Sequence, residues 1–334
     1  MVSLSLAVLI LLAQLAPLPS IDLSRRQLEI GIGDRYLSYQ NGQRIIWYKQ
    51  AERDGLRFRY FQMWLTKQWQ DAWVGGQAAL QRMADDGYTP VITYYYFGGS
   101  ISKEAVEADL LDWYQDCQRL HRLLDIDREI LVLIEPEFNV AAPRGSTSIY
   151  NWSGWNEAVR GAIARIRGAS SRIKVGLCPG DFGRFNLDKC MKDVAGDCDF
   201  LAFQELRGSS HPHSSSQKYR DVASSAIDFA GYLQSRFRRP LLMCVGISSY
   251  TDKDPLGWSA EQCVAISGIL SRLDALQQRG VFGLIYFEYF DDPQHDYSFF
   301  GEAERHFGLK NGQGAPKPAW ELWRRAGEAI YARQ

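Results

Sequence analysis

The chain has 334 residues, 46% of them hydrophobic, and its 38 basic and 39 acidic side chains leave a net charge of −1. That length suits one α/β barrel, and the charge balance excludes both the basic footprint of a nucleic-acid binder and a charged interaction tail. The unusual figure is an aromatic content of 13%, with 10 Trp and 17 Tyr; a large core accounts for it, as does a cleft that stacks on the flat faces of sugar rings.

Residues 1–20 carry no charge, and their apolar stretch 4–15 has the length of a signal-peptide core, too short to span a bilayer comfortably. They are read as a signal peptide, with an uncleaved anchor as the alternative. The remainder, 21–334, is then one secreted or periplasmic domain. No later apolar run approaches the roughly 18 residues of a membrane helix, so no membrane contact is expected beyond that signal or anchor.

Short apolar, β-rich runs then alternate with amphipathic ones, the pattern of a parallel sheet covered by helices. Strands are predicted over 28–33, 58–65, 90–97, 130–137, 173–178, 200–205, 240–247 and 282–288. Helices are predicted over 75–87, 103–124, 155–167, 218–236, 260–278 and 319–331, with Gly280 closing the fifth and Pro318 opening the last. Eight strands alternating with helices predict a single-domain (β/α)8 TIM barrel. An open doubly wound sheet is the runner-up, but Gly31-Ile32-Gly33 lacks the third glycine of a dinucleotide fingerprint. Among the six cysteines, Cys190 and Cys198 bracket a short connection and are the best disulfide candidates. Cys178 and Cys244 fall in strand-like runs and read as buried free thiols.

Active sites of such barrels form at the C-terminal ends of the strands. Here those ends are rich in carboxylates and aromatics. Glu135 and Glu137 close the fourth strand, and period-two alternation places them on one face. Glu205 ends the sixth strand and Glu288 the eighth. Glycosidic-bond hydrolysis needs such a set: one carboxylic acid protonates the leaving oxygen while a second carboxylate acts as nucleophile or base. Glu135 or Glu137 is the expected acid, and Glu205 or Glu288 the expected partner. The fourth and eighth strands lie across a barrel, which favours the wider separation of an inverting pair; the fourth and sixth lie closer. Trp64, Trp69, Tyr94, Tyr96, Tyr250 and Tyr289 are the expected sugar-facing aromatics, with Asn139, Arg207 and His211 as hydroxyl partners. No cofactor or metal is implied, because Asp291, Asp292, His295 and Asp296 read as solvated loop charges. No strand end carries a lysine for Schiff-base chemistry; Lys67 is the nearest.

Three stretches carry a resemblance to a family. LIEPEFN at 133–139, RPLLMCVGISSY at 239–250, and GLIYFEYFDD at 283–292 with FGLKNGQGAPKPAW at 307–320 together resemble the large clan of retaining (β/α)8 glycosidases that includes cellulases, mannanases and β-xylosidases. The resemblance implies an acid/base at Glu135, with Ile134 in place of the usual Asn. It implies a nucleophile at the position of Cys244, which is not a carboxylate. Ile134–Glu137 is also similar to an Ile-Glu-Pro-Asp stretch of the inverting family-six cellobiohydrolases, whose aspartate-rich acid motif is missing here. The sequence thus points to a glycoside hydrolase-like protein acting on a poly- or oligosaccharide. The alternative is a carbohydrate-binding pseudoenzyme that keeps the cleft and lacks the catalytic pair.

Overall fold

A computed structural model describes residues 27–40, 43–208, 216–250, 258–295 and 300–332. Eight parallel strands close on themselves in the order β1 (Glu29–Gly33), β4 (Tyr60–Thr66), β5 (Thr89–Tyr95), β6 (Ile130–Ile134), β7 (Ile173–Leu177), β8 (Phe200–Arg207), β9 (Leu241–Ile247) and β10 (Val281–Tyr286). The seam is formed by β1 and β10, with Gly31 opposite Ile285. The fold is therefore the (β/α)8 barrel expected from the alternation. A small antiparallel hairpin, β2 (Leu37–Gln40) with β3 (Gln43–Ile46), and the helix α1 (Trp47–Arg53) stand between the first and second barrel strands. Neither was predicted, because each is too short to establish a period.

The helices that follow the strands include α2 (Gln77–Asp85), α3 (Lys103–Leu124), α4 (Trp155–Arg167), α5 (Arg184–Met191) and α6 (Ser216–Phe237). Ser102 caps α3 by accepting from the Ala105 N–H at 3.1 Å. The predicted helix 260–278 is instead two, α7 (Trp258–Leu270) and α8 (Leu273–Gln278), broken at Arg272, whose φ of −122° leaves the helical region. The last helix, α9 (Pro318–Tyr331), begins at the predicted proline. No described helix is long and apolar enough to cross a membrane.

Each barrel strand is buried on both faces, so its sequence is a continuous apolar run rather than an alternating one. The two faces feed two cores. Ile30, Ile32, Phe61, Met63, Ile92, Val132 and Ile134 pack outward under the helices. Tyr60, Val91, Leu131, Leu133, Phe200, Ala202, Leu242, Cys244, Phe282 and Ile285 fill the barrel itself. The interior holds Tyr60, Phe200 and Phe282 together only because glycines make room. A Cβ at Gly31 would lie 2.6 Å from both the Cβ and the carbonyl oxygen of Tyr60, and one at Gly176 would lie 2.7 Å from the Phe200 carbonyl oxygen.

The six cysteines are free. The expected Cys190–Cys198 disulfide is absent, and each thiol instead donates within its own turn, Cys190 to the Asn186 carbonyl and Cys198 to the Val194 carbonyl.

Gly31→Ala tests the close-packed seam directly. Backbone atoms cannot yield as a flexible side chain can, so overpacking here should cost about 1–3 kcal/mol of unfolding free energy. Urea denaturation followed by circular dichroism measures it, and an unchanged midpoint would contradict the packing described.

Candidate active site

The fourth barrel strand does not run to Glu137 as predicted. It ends at Ile134, and the next residues leave the extended region. Glu135 has a φ of 46° and Glu137 a φ of 58°, with Pro136 between them. Strand alternation therefore does not apply, and the two acids part rather than sharing a face. The Glu135 carboxylate is fully buried and accepts the backbone N–H groups of Tyr96 at 3.0 Å and Phe97 at 3.2 Å. It holds the turn that follows β5. Burial pushes its pKa up to about 8, against the opposing pull of those two N–H groups.

Glu137 turns to the barrel mouth. It is half-buried, and among the described residues no donor is bonded to its carboxylate. Burial pushes its pKa up to about 7, reinforced by the negative charges of Asp181 and Glu304. Asp181 lies on the turn after β7, and its carboxylate is 3.6 Å from the Arg207 guanidinium. Glu304 belongs to the short 3-10 helix Gly301–His306, accepts the Phe300 N–H at 2.7 Å and meets His295 at 3.0 Å.

Asn139, expected to meet a substrate hydroxyl, is 1% exposed and is instead a tie between the two turns. Its Oδ1 accepts the Gly180 N–H at 2.7 Å, and its Nδ2 donates to the Phe182 carbonyl at 2.6 Å. These bonds fix the Asp181 turn beside that of Glu137. Glu205 is not at the mouth either. It shares a strand face with Leu201 and Phe203 of the outer core, its Oε1 has no hydrogen-bond partner among the described residues, and its Oε2 pairs with Arg207 at 2.5 Å. Arg207 thus bridges an outward glutamate and Asp181 at the rim.

Glu288 belongs to a second acidic group on the opposite side of the barrel. Burial, with the charges of Asp34, Asp292 and Asp291, holds its pKa well above the usual carboxylate range. Asp34, where β1 ends, is pushed up to about 7 chiefly by burial. Arg35 pairs with Asp292 beside them, and Asp291 meets Lys317 at 2.5 Å.

The aromatic expectations divide by strand face. Trp64 is half-buried at the mouth and meets Tyr95 and Phe287 edge-on, at 6.1 and 5.4 Å between ring centroids. Tyr94 and Tyr96 occupy the opposite face of β5 and its extension. Tyr94 bonds Asp116 of α3 at 2.6 Å, and Tyr96 packs on Trp113. Trp69 is 1% exposed, donates to Asp116 at 2.8 Å, and lies under Arg119. Tyr289 is buried, bonding Asp54 at 2.7 Å. Tyr250 is half-buried and stacks on His306 at 4.8 Å. His211 lies outside the described residues. The sequence reading thus missed Tyr95 and Phe287, for which the apolar run gave two equally good parities. It also passed over Glu304, which no strand end announces. Asp34 directly follows the predicted strand 28–33, and Asp181 lies three residues beyond the predicted strand 173–178.

Cys244, the position implied as a nucleophile, is buried inside the barrel, 3.5 Å from Gln62 Nε2, three residues before β9 ends. The residues at that strand's exit are Ile247, Ser248 and Ser249. The Ser248 hydroxyl donates to the Ala303 carbonyl at 2.8 Å. Among the described residues no group of three or more His, Cys, Asp or Glu is arranged to hold a metal ion.

No protein-family model matches the chain, and no curated protein matches it in sequence. Its fold is shared with solved glycoside hydrolases. It is similar to an Ignisphaera aggregans GH53 catalytic domain at TM-score 0.58 and 12% identity, covering 96% of this chain and 99% of that one. It is similar to a GH5-4 broad-specificity endoglucanase from an uncultured bacterium at TM-score 0.60 and 11% identity, covering 95% and 98%. It is also similar to a β-glucuronidase from an uncultured Clostridium at TM-score 0.63 and 11% identity; there it covers 90% of this chain but spans only 50% of the enzyme.

Buried Glu135 gives stability a pH dependence with a definite sign. Its folded pKa of about 8 stands above the ordinary 4.5, so the folded state binds the extra proton between those values. The contribution is full below about 4.5 and is lost as pH rises through about 8. The urea midpoint should fall between pH 5 and 8, and Glu135→Gln should flatten that fall. An equal slope in the variant would contradict the assignment.

Proposed function

We propose that this protein is a glycoside hydrolase cleaving O-glycosidic bonds of a poly- or oligosaccharide, with Glu137 as proton donor to the leaving oxygen. The observation that carries the reading is Glu137 itself, a mouth carboxylic acid pushed up to about 7 and next to the ion-paired Asp181. Acid/base glycoside cleavage needs a carboxylic acid that keeps its proton and a second carboxylate near it. Asp181 is the partner that would activate water or attack the sugar carbon, and Glu288 across the barrel is the other candidate for that role. Trp64, Tyr95 and Phe287 offer the apolar wall on which a sugar ring packs. The similarity to solved glycosidases supports the reading through the fold alone. Export of the chain belongs to the same proposal and rests on residues 1–20, outside the described residues.

A second reading, a carbohydrate-binding barrel without hydrolysis, is favoured by one observation. The exit of the seventh barrel strand presents Ile247, Ser248 and Ser249, with no carboxylate.

Glu137→Gln should lower kcat by about 10²–10⁴-fold, the usual contribution of a general acid. The wild-type rate should fall as pH rises through about 7, because the donor must carry its proton. Release of reducing ends from a broad glycan panel reads both. Activity lost in Glu288→Gln but kept in Asp181→Asn would move the partner across the barrel. No hydrolysis by the wild-type protein, with glycan binding retained, would select the second reading.

A further inference from the structure

We infer that Phe182 is a fixed sugar-stacking platform on the rim, forming a subsite that takes the apolar C–H face of a pyranose next to Asp181. The inference rests on the glycan-binding mouth of the proposed function and deepens it.

Exposure comes first. Trp73, Phe182 and Phe185 are the exposed Trp and Phe side chains among the described residues, and two of the three flank the Asp181 turn. Phe182 is 40% exposed, so its ring is neither in the core nor free of the protein. It rests on Gly180. A Cβ at Gly180 would collide with the Phe182 ring at Cε1, Cζ and Cδ1, the last two 2.6 and 3.0 Å away. One side of the ring therefore uses space that only glycine leaves open.

The backbone beneath the ring is fixed as well. Asn139 accepts the Gly180 N–H at 2.7 Å and donates to the Phe182 carbonyl at 2.6 Å, and Gly180 bridges to Gln204 of β8. An aromatic ring held this way loses little further freedom on binding, which is what makes a stacking platform effective.

The polar groups near this turn match the hydroxyl rim of a sugar. Asp181 and Arg207 form a half-buried ion pair on one side. Gln204 shares the inward face of Phe200 and Ala202, is 4% exposed, and has an amide nitrogen with no partner among the described residues. A buried donor without an acceptor carries a desolvation cost that a ligand hydroxyl would relieve. An apolar face flanked by a carboxylate, a guanidinium and an amide donor is the chemistry that recognises a polyhydroxylated ring.

The test measures binding separately from cleavage. The full chain carrying Glu137→Gln is applied to a printed panel of α- and β-linked hexasaccharides of glucose, mannose, xylose and galactose. Phe182→Ala, Phe182→Trp and Gly180→Ala are then compared in that background. Phe182→Ala should weaken the best-bound glycan about tenfold, the effect of one lost aromatic stack. Phe182→Trp should retain binding, and Gly180→Ala should weaken it by displacing the ring. Near-UV circular dichroism and the urea midpoint confirm that each variant is folded. Unchanged affinity in Phe182→Ala would overturn the platform, as would failure of the parent to bind any glycan on the panel. Reducing-end release by the wild-type chain is followed in parallel. Hydrolysis with no effect at Phe182 removes the platform and leaves the hydrolase reading. Phe182-dependent binding without hydrolysis keeps the platform and removes the hydrolase reading.

Discussion

Two acidic residues on either side of Pro136 hold a positive φ, 46° at Glu135 and 58° at Glu137. For residues with a Cβ each such conformation costs roughly 1–3 kcal/mol, and a residue before proline is restricted further. The surroundings impose it. The Glu135 N–H is bonded to the Tyr94 carbonyl at 2.9 Å and the Glu137 N–H to the Cys178 carbonyl at 2.8 Å, one to each neighbouring strand. Phe138 is fully buried against Trp155 of α4, and Asn139 is bonded to the next turn. Every residue from 135 to 139 except the proline is thus anchored, Glu135 to β5, Glu137 and Asn139 to the exit of β7, and Phe138 to α4.

That turn divides the two carboxylates between different tasks. Glu135 is spent on two backbone N–H groups and closes the exit of the third barrel strand. Glu137 is left half-buried at the mouth, where burial, reinforced by the charges of Asp181 and Glu304, raises its proton affinity. The same economy holds around the rim. Asn139 positions the Asp181 turn, and Arg207 spans from Glu205 beneath the helices to Asp181 at the surface. The mouth is built from groups bonded to each other across strand exits, so its shape is set by the barrel rather than by any single loop.

How much of this was legible varies residue by residue. The eight strands and most helices were, because their apolar runs and 3.6-residue periods are local properties of the chain. Trp64 and Glu137 are half-buried at their strand exits, and Arg207 closes β8 between Glu205 and Asp181. Tyr94 and Tyr96 lie on the opposite face of β5 and its extension, and Tyr95 meets Trp64. A fully buried strand is apolar on both faces, so its sequence does not say which face looks inward. Glu205 failed for the same reason. Asn139 looked like a ligand partner because nothing local marked the Gly180 N–H as the donor that its Oδ1 accepts. Glu304 arrives from a helix far along the chain, and no strand end points to it.

The sequence by itself determined the architecture: the number of strands, their order in the chain, and a strand exit crowded with acids and aromatics. Those follow from hydrophobic periodicity, which short windows contain. Only the tertiary structure decided which acid is a latch and which faces the mouth. That choice depends on where the fourth strand stops: the Glu135 N–H still bonds the Tyr94 carbonyl as the ladder would, but the positive φ of Glu135 ends the extended run at Ile134, and the Cys178 carbonyl takes the Glu137 N–H instead. Tyr94 lies 41 residues before Glu135 and Cys178 lies 41 after Glu137, on a strand and at a strand exit whose register exists only once the barrel has closed.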